Sequence, residues 1–265
     1  MTVLHPTVLV IAGLDPTGGA GIQADIETLS SLQVHALPIV SCLTVQDTSN
    51  VKQLQSIDAP LIHQQINTVI QDISINAIKL GLLSNIDVIN TVHETILKLN
   101  NIPLIVDPVL KAGGGKDLNA SNISIDKLIE AFREKIIPYT TVITPNSIEA
   151  RLLTGKQNLD DCADDLIKLG CKHVFITGEH ENAVDKITNV LYSQNSQQSF
   201  QWQRLANKYH GSGCTLASAI AAYLVTEQPV REAVQLAQKY TDNTLRHAIQ
   251  LGKTQLHPNR FKNEL

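Results

Sequence analysis

The sequence predicts an α/β fold in which a mostly parallel sheet lies between layers of helices. Three observations predict it. Short apolar runs rich in β-branched residues alternate with longer segments of helical period. The short runs are nearly all apolar, as in strands that are buried on both faces. Finally, 43% of the 265 residues are hydrophobic, which is enough for a large core. No linker, repeat or low-complexity block interrupts the series, so we expect one domain over residues 1–265.

Six parallel strands are expected where apolar runs are bounded by turn-forming residues. They are predicted at residues 7–12, 36–41, 77–80, 103–107, 141–144 and 173–177. An antiparallel hairpin is predicted later, with strands at 188–193 and 199–203 and a Gln- and Ser-rich turn between them.

The helices are predicted from apolar residues that recur with a period near 3.6. They are expected at residues 21–32, 60–73, 86–99, 125–137, 147–153, 160–169, 214–225 and 230–249. The remaining tail, residues 252–265, is polar and contains proline, so we expect it to be frayed.

Composition excludes several classes of function. The net charge of −4, from 21 basic and 25 acidic residues, provides no basic field for nucleic acid. The longest uncharged stretches, 28–46 and 209–226, are interrupted by polar residues and glycines, so no membrane span is predicted. The first residues carry no basic segment ahead of the apolar run, unlike a signal peptide. A cytoplasmic protein is therefore expected.

The four cysteines are spread along the chain without a CxxC pair. This spacing argues against a zinc site and against a disulfide framework. We expect Cys42, Cys162 and Cys171 to be small buried apolar side chains. Cys214 differs, because it stands in a glycine-containing motif.

Unusual loops follow three of the predicted strands. They read GLDPTGGAG at 13–21, DPVLKAGGG at 107–115 and TPNSIE at 144–149. Right-handed crossovers bring the carboxyl ends of parallel strands to one edge of the sheet, where ligands bind in such folds. These loops are therefore expected to form one site.

The first loop places four glycines between a strand and a helix. Glycines allow a close backbone approach to a ligand, and a helix start favours an anion; the competing interpretation is a mobile turn. The spacing of Gly18, Gly19 and Gly21 disfavours a dinucleotide fold. A second run at 113–117 fails as a P-loop, because Leu110 and Asp117 stand where glycine and a hydroxyl residue are required.

A second helix start is predicted to bind an anion. Gly211 and Gly213 precede a helix of small residues, so successive N–H groups can converge with the helix dipole. A cysteine in that first turn, Cys214, is expected to have a lowered pKa. The alternative is an ordinary packed helix in which Cys214 only fills space.

Acidic residues at the same edge predict a magnesium site. Asp107 closes one strand, and Glu149 lies in the helix that follows another. Carboxylates at this edge can hold Mg²⁺ through water beside phosphates. The alternative, compatible with the first, is that Asn146 caps its helix and Glu149 completes a capping box.

Together these motifs resemble those of a known family. GLDPTGGAGIQAD, LTVQD, DPV, TPNSIEA and HGSGCTLASAIAA occur in the order and spacing of hydroxymethylpyrimidine/phosphomethylpyrimidine kinases, thiamine-pathway members of the ribokinase-like superfamily. The resemblance runs from residue 8 to about 248. The superfamily's sugar kinases carry an aspartate where this chain has Cys214. The resemblance implies a ribokinase-like three-layer sandwich, with a central, mostly parallel sheet flanked by helices.

The implied activity is ATP-dependent phosphorylation of 4-amino-5-hydroxymethyl-2-methylpyrimidine and then of its monophosphate, with Mg²⁺. Similarity also implies a homodimer. The family's pyrimidine-binding positions fall on Gly13, Asp15, Ala20, Gln46, Leu82 and Val109. Among them, the Gln46 amide can both donate to and accept from a ring edge. The ATP phosphates and metal are implied at Asn146, Glu149 and Asp107, and the anion hole at Gly211, Gly213 and Cys214, with Cys214 catalytic.

The chain departs from the family pattern at three positions. Thr177 replaces a lysine that many relatives place near ATP, so that a hydroxyl is expected to contact the nucleotide there. Lys116 lies in an altered loop and is a candidate for a displaced role. Leu82 stands where methionine is common, a change that conserves volume.

Two alternatives remain open from the sequence. One is a pyridoxal or pyridoxine kinase of the same superfamily, because both rings offer a hydroxymethyl group. The other is a catalytically silent pyrimidine-binding regulatory protein, suggested by Thr177. The retained Asp107, Glu149 and Cys214 argue against the silent protein.

Overall fold

The computed structural model describes residues 5–110, 124–181 and 185–261. Its nine strands are β1 (Thr7–Leu14), β2 (His35–Gln46), β3 (Val51–Ser56), β4 (Ala77–Leu80), β5 (Leu104–Val106), β6 (Val142–Ile143), β7 (His173–Ile176), β8 (Lys186–Ser193) and β9 (Ser196–Gln203). Its helices are α1 (Gly21–Ser31), α2 (Ala59–Asp72), α3 (Ile86–Lys98), α4 (Ile125–Lys135), α5 (Ser147–Thr154), α6 (Leu159–Lys168), α7 (Ser212–Val225) and α8 (Val230–Arg246), with a 3-10 turn at Ile137–Tyr139.

The strands form one sheet in the order β3-β2-β1-β4-β5-β6-β7-β8-β9. The central pairs from β2 to β7 are parallel, whereas β3 at one edge and β8 and β9 at the other are antiparallel. This confirms the predicted α/β fold and the late hairpin. None of the helices in the described ranges has the length and apolar content needed to cross a bilayer.

The two faces of the sheet bury separate cores. Along β1, Leu9 and Ile11 pack on one face with α2 to α6, while Val8 and Val10 pack on the other with α1, α7 and α8. These strand residues are fully buried, which explains why the β1 sequence is apolar without alternation. The result is three layers: helices, sheet and helices.

One strand was not predicted. The chain at Val51–Ser56 forms β3, which pairs with an extended β2 so that Gln46 lies opposite Val51. An edge strand needs only one apolar face, and here only Val51 is buried. Its polar sequence therefore gives little signal of a strand. The hairpin of β2 and β3 brings Gln46 to the carboxyl edge of the sheet.

The expectation that the tail is frayed is wrong for residues 252–261, while residues 262–265 lie outside the described ranges. His257 exchanges two backbone hydrogen bonds of 2.9 Å with Ile249, and Leu256 pairs with Tyr209. His257 and Arg260 are both almost fully buried. Side chains of Thr254, His257 and Arg260 find hydrogen-bond partners within the fold, which the polarity of the segment does not indicate. Helix α8 ends at Arg246, three residues before its predicted end at residue 249. Ile249 pairs with His257 instead.

Candidate active site

A cleft of roughly 780 Å³ opens at the carboxyl edge of the parallel strands. Lys116 lies outside the described residues. The lining of the cleft includes all the other site residues predicted from the sequence: Gly13, Asp15, Ala20, Gln46, Leu82, Asp107, Val109, Asn146, Glu149, Thr177, Gly211, Gly213 and Cys214. The structure thus brings together residues that are separated by as much as 201 positions, from Gly13 to Cys214.

The two predicted anion-binding loops touch each other through their backbones. Gly211 caps α7 with a φ of +80°, a left-handed conformation that favours glycine. A Cβ atom at Gly211 would collide with the carbonyl oxygen of Gly19 and would lie 2.9 Å from the Cα atom of Ala20. Only glycine allows this approach, which sets the first loop directly against the start of α7.

Asp15 organises the first loop from within. Its carboxylate accepts hydrogen bonds from the backbone N–H groups of Thr17 at 2.9 Å and Ala20 at 3.0 Å. His210 Nε2 lies 2.7 Å from the same carboxylate. Burial opposes ionisation, but the hydrogen bonds from His210 and Thr17 outweigh it and lower the pKa of Asp15. Asp15 is therefore an ionised residue that shapes the loop and holds His210.

Gln46 is held by the same histidine. Its side-chain amide lies 2.8 Å from His210 Nε2. The structure places Gln46 Nε2 against this nitrogen, but because His210 Nε2 donates its proton to Asp15 we assign the facing atom as the carbonyl oxygen, which exchanges the amide N and O. The Gln46 NH₂ group then faces Thr44 Oγ1, whose own proton goes to the Leu14 carbonyl at 2.9 Å. The amide is thus oriented at the rim of the cleft.

An apolar slot lies beside this amide. Cys42, Val51 and Leu82 form a small buried cluster, and Val109 packs against it. A Cβ atom at Gly13 would lie 2.8 Å from Cys42 Sγ, so glycine keeps the slot open. Burial raises the pKa of Cys42 to about 11, which makes the thiol unreactive. The slot suits a flat ring whose polar edge meets Gln46.

Cys214 lies in the first turn of α7, partly buried and beside the Asp107 carboxylate. The expectation of a lowered pKa is wrong. Burial and the Asp107 carboxylate raise the pKa of Cys214 well above its ordinary value, although the Lys79 cation acts in the opposite direction. The start of a helix lowers the pKa of a cysteine, but here the opposing effects of burial and of the Asp107 carboxylate are larger.

Sequence reasoning missed Lys79, which lies beneath Cys214. It is fully buried on β4, with Nζ 2.7 Å from Asp25 Oδ1 and 3.8 Å from Asp107 Oδ2. Burial acts against its charge, but Asp25, Cys214 and Asp107 outweigh burial and raise the pKa of Lys79. A lysine within a four-residue strand that is otherwise apolar was the available signal.

Asn146 and Glu149 form the predicted capping box at the start of α5. Asn146 Oδ1 accepts from the N–H groups of Ile148 and Glu149, each at 2.9 Å, and Glu149 Oε2 accepts from the Asn146 N–H at 3.0 Å. Thr177 pairs with Asn146 through a backbone bridge. The end of β7 therefore holds Thr177 beside the start of α5.

Asp107 and Glu149 suit a divalent cation only in part. Burial, together with repulsion from Asp107, raises the pKa of Glu149, and burial raises the pKa of Asp107. Asp107 Oδ2 has no hydrogen-bond partner among the described residues. No group of three candidate ligands gathers in those residues, so water and phosphate oxygens would have to complete the coordination.

Comparison with known proteins shows the family of this chain. The family model for phosphomethylpyrimidine kinase matches residues 15–259, nearly the whole chain. The chain belongs to this family. The match includes most of the first glycine loop, from Asp15, together with the capping box and the start of α7, and it ends just before Arg260.

Individual relatives of this phosphomethylpyrimidine kinase family member are similar over most of its length. A hydroxymethylpyrimidine/phosphomethylpyrimidine kinase from Mycobacterium bovis is 37% identical over 255 residues, which cover 94% of this chain and 91% of that protein. A bifunctional thiamine biosynthesis protein from Geobacter sulfurreducens is 33% identical over 254 residues, 93% of this chain. This chain spans about half the length of that bifunctional relative, 50%.

A solved structure confirms the ribokinase-like fold. The ADP complex of Bacillus subtilis pyridoxal kinase superposes with a TM-score of 0.87 at 29% identity and covers 97% of this chain and 98% of that one. The pyridoxal alternative is therefore represented by a neighbour in structure, whereas the family match is to phosphomethylpyrimidine kinase.

Substitution of Gly211 by alanine tests the contact between the loops. We call the N–H groups at the start of α7, from Gly211 to Cys214, the anion cradle. We expect Gly211→Ala to lower kcat/KM of this kinase family member by about 100-fold or more, since the N–H donors of the cradle must move. Gly155→Ala is the matched control, because Gly155 has a φ of +71° but open space around its missing Cβ. It should cost about 1 kcal/mol of stability and leave kcat/KM unchanged. Similar activity in both variants would contradict the proposed role of the contact.

Removal of Lys79 tests the buried charges. Lys79→Met leaves Asp25 and Asp107 without their cation, so we expect the free energy of unfolding, measured with urea, to fall by about 3–5 kcal/mol. The double variant Asp25→Asn/Lys79→Met should recover part of that loss without recovering kcat, because Asp107 and Cys214 still lack the cation. Full recovery of kcat in the double variant would show that Lys79 serves stability alone.

Proposed function

We propose that this chain is an ATP-dependent kinase that phosphorylates 4-amino-5-hydroxymethyl-2-methylpyrimidine and then its monophosphate, giving the diphosphate used in thiamine biosynthesis. One observation carries the proposal. The ring slot beside Gln46, the carboxylates Asp107 and Glu149, and the start of α7 with Cys214 all line one cleft. A phosphoryl acceptor, a phosphoryl donor and an anion cradle are the parts that phosphoryl transfer needs.

Binding of the pyrimidine follows from the slot and its rim. The ring would lie against Leu82 and Val109, and the Gln46 amide would meet its polar edge as both donor and acceptor. Gly13 and Ala20 leave room for the ring, while Asp15 holds their loop. His210 orients the Gln46 amide, so this histidine, to which the sequence analysis gave no role, is part of the recognition.

The transferred phosphoryl group would meet the N–H groups of α7. Gly211 and Gly213 allow these donors to converge, and the helix dipole adds partial positive charge. Asn146, Glu149 and Thr177 line the same cleft and would contact ATP. Mg²⁺, when bound by Asp107 and Glu149 together with water and phosphate oxygens, would neutralise phosphate charge.

Cys214 is proposed to accept the proton of the substrate hydroxyl in the first step. Its raised pKa means that the free thiol keeps its own proton at neutral pH. The base would form when the thiol releases its proton to solvent, a loss that the Lys79 cation favours, and the thiolate would then take the hydroxyl proton as the oxygen attacks the phosphoryl group. In the second step the acceptor is a phosphate that is already ionised, so no strong base is needed.

We also propose a cytoplasmic homodimer without a nucleic-acid partner. Leu43 and Val45 on β2 are 42% and 55% exposed, and a second copy would cover such apolar side chains. The net charge of −4 supports the absence of nucleic-acid binding.

The direct test is a single-turnover assay of ADP release with ATP and each pyrimidine form, run in parallel with pyridoxal. The orienting contacts of Gln46 favour the pyrimidine, so we expect its kcat/KM to exceed that for pyridoxal by about tenfold or more. An equal or larger value for pyridoxal would support the pyridoxal kinase alternative. Absence of ADP release with every alcohol would contradict the kinase function itself.

Cys214→Ala distinguishes the two steps. We expect phosphorylation of the hydroxymethyl group to slow by about 100-fold or more, as for loss of a general base, and phosphorylation of the monophosphate to slow much less. Cys162→Ala is the matched control, because Cys162 is a fully buried cysteine on α6, remote from the cleft. Equal losses in both steps for Cys214→Ala would remove the base role.

A further inference from the structure

The last described residues of the chain return to the pyrimidine half of the cleft. Thr254 Oγ1 donates to the carbonyl of Thr48 in the turn between β2 and β3. Leu256 N–H donates to the Lys208 carbonyl at 2.9 Å, and its carbonyl accepts from the His210 N–H at 2.9 Å. We call residues 252–261 the C-terminal segment. It contacts the hairpin that carries Gln46 and the approach to the anion cradle.

Arg260 is the most enclosed polar side chain of this segment, with only 1% of the side chain exposed. Its Nη1 donates to the Gly18 carbonyl at 3.3 Å and to Glu27 Oε2 at 2.9 Å, and its Nη2 donates to the Gly19 carbonyl. Its Nε donates to Thr215 Oγ1 at 3.0 Å. One planar guanidinium group therefore joins the first glycine loop, α1 and α7.

The partners of Arg260 are next to the groups that the site depends on. Gly19 is the residue whose carbonyl lies against Gly211, and Thr215 follows Cys214 directly. The backbone of Arg260 is itself fixed, because Tyr240 on α8 donates its hydroxyl to the Arg260 carbonyl at 2.8 Å. Because its backbone is held in this way, the planar guanidinium group of Arg260 sets the distance between the first glycine loop and α7.

We propose that Arg260 is a positioning residue for the acceptor substrate. It fixes the first glycine loop relative to Cys214 and the start of α7 through the carbonyl groups of Gly18 and Gly19, two residues that do not line the cleft. Substrate affinity depends on a loop that is already ordered, because a displaced loop must be ordered when the substrate binds. A small displacement of the reacting groups also lowers the rate. This inference rests on the proposed kinase function and adds a residue beyond the matched range 15–259.

Arg133 provides a matched control within the same chain. Like Arg260, it donates to a backbone carbonyl and to a carboxylate, here those of Leu153 and Asp165, each at 2.7 Å. These partners lie at the end of α5 and on α6, on the other face of the sheet. Loss of Arg133 thus removes similar bonds without touching the first loop or α7.

The experiment compares Arg260→Met, Arg260→Lys and Arg133→Met in the full chain. KM for 4-amino-5-hydroxymethyl-2-methylpyrimidine and KM for ATP are measured separately, together with the melting temperature with and without the pyrimidine alone. For Arg260→Met we expect the pyrimidine KM to rise about tenfold or more while the ATP KM changes less than about twofold. Arg260→Lys should be intermediate, because lysine keeps the charge beside Glu27 but has no planar fork.

Both Met variants should melt at lower temperature, but only Arg260→Met should lose the stabilisation that the pyrimidine gives. An unchanged pyrimidine KM in folded Arg260→Met, or equal rises in both KM values, would overturn the positioning role. If Arg260→Met does not fold, Arg260→Lys decides by the same criterion.

The melting series also separates the two proposals. A wild-type chain that is stabilised by the pyrimidine but releases no ADP would contradict the kinase function and still allow the Arg260 test. A wild-type chain that is active, with Arg260→Met unchanged in pyrimidine KM and in ligand stabilisation, would overturn only the role of Arg260.

Discussion

A single buried ammonium group holds the centre of this protein together. Lys79 projects from the middle of the sheet and bonds Asp25 of α1, which in turn accepts from Ser218 of α7 at 2.7 Å. Asp107, at the end of the neighbouring strand, lies 3.8 Å from the same nitrogen. Burying an ion costs several kcal/mol unless opposite charges surround it, so these elements must meet around Lys79 in one arrangement. The same arrangement delivers Cys214 and Asp107 to the floor of the cleft.

The cleft is assembled from two halves with different tasks. On one side, Asp15 and His210 hold a glycine loop and orient Gln46 by hydrogen bonds alone. On the other side, Asp107 and Glu149 repel each other in a buried setting, which favours a bound cation. The backbone contact between Gly19 and Gly211 joins the halves. An oriented amide on the first side and a charged, cation-binding second side suit the proposed transfer of a phosphoryl group from ATP to a pyrimidine.

Features that local sequence controls were predicted well. Burial on both faces forces β1 to be apolar, and the rule that parallel strands end at one edge was enough to gather the loops around the cleft. Features that depend on distant partners were not. Lys79 and Arg260 are polar residues that contact partners distant in sequence. Strand β3 lies at the edge of the sheet, and its sequence has few apolar residues to indicate a strand. The predicted direction of the Cys214 pKa shift was wrong. The prediction used only the position of Cys214 at a helix start, whereas burial and the Asp107 carboxylate, which is distant in sequence, raise the pKa.

The contact between Arg260 and Gly18 joins residues 242 positions apart. During synthesis on the ribosome, the glycine loop emerges long before the arginine that braces it. Sheet and helices can form vectorially while the chain grows, but the acceptor half of the cleft stays incomplete until elongation has passed residue 260. A nascent chain of this protein is thus expected to acquire its fold before it acquires its affinity.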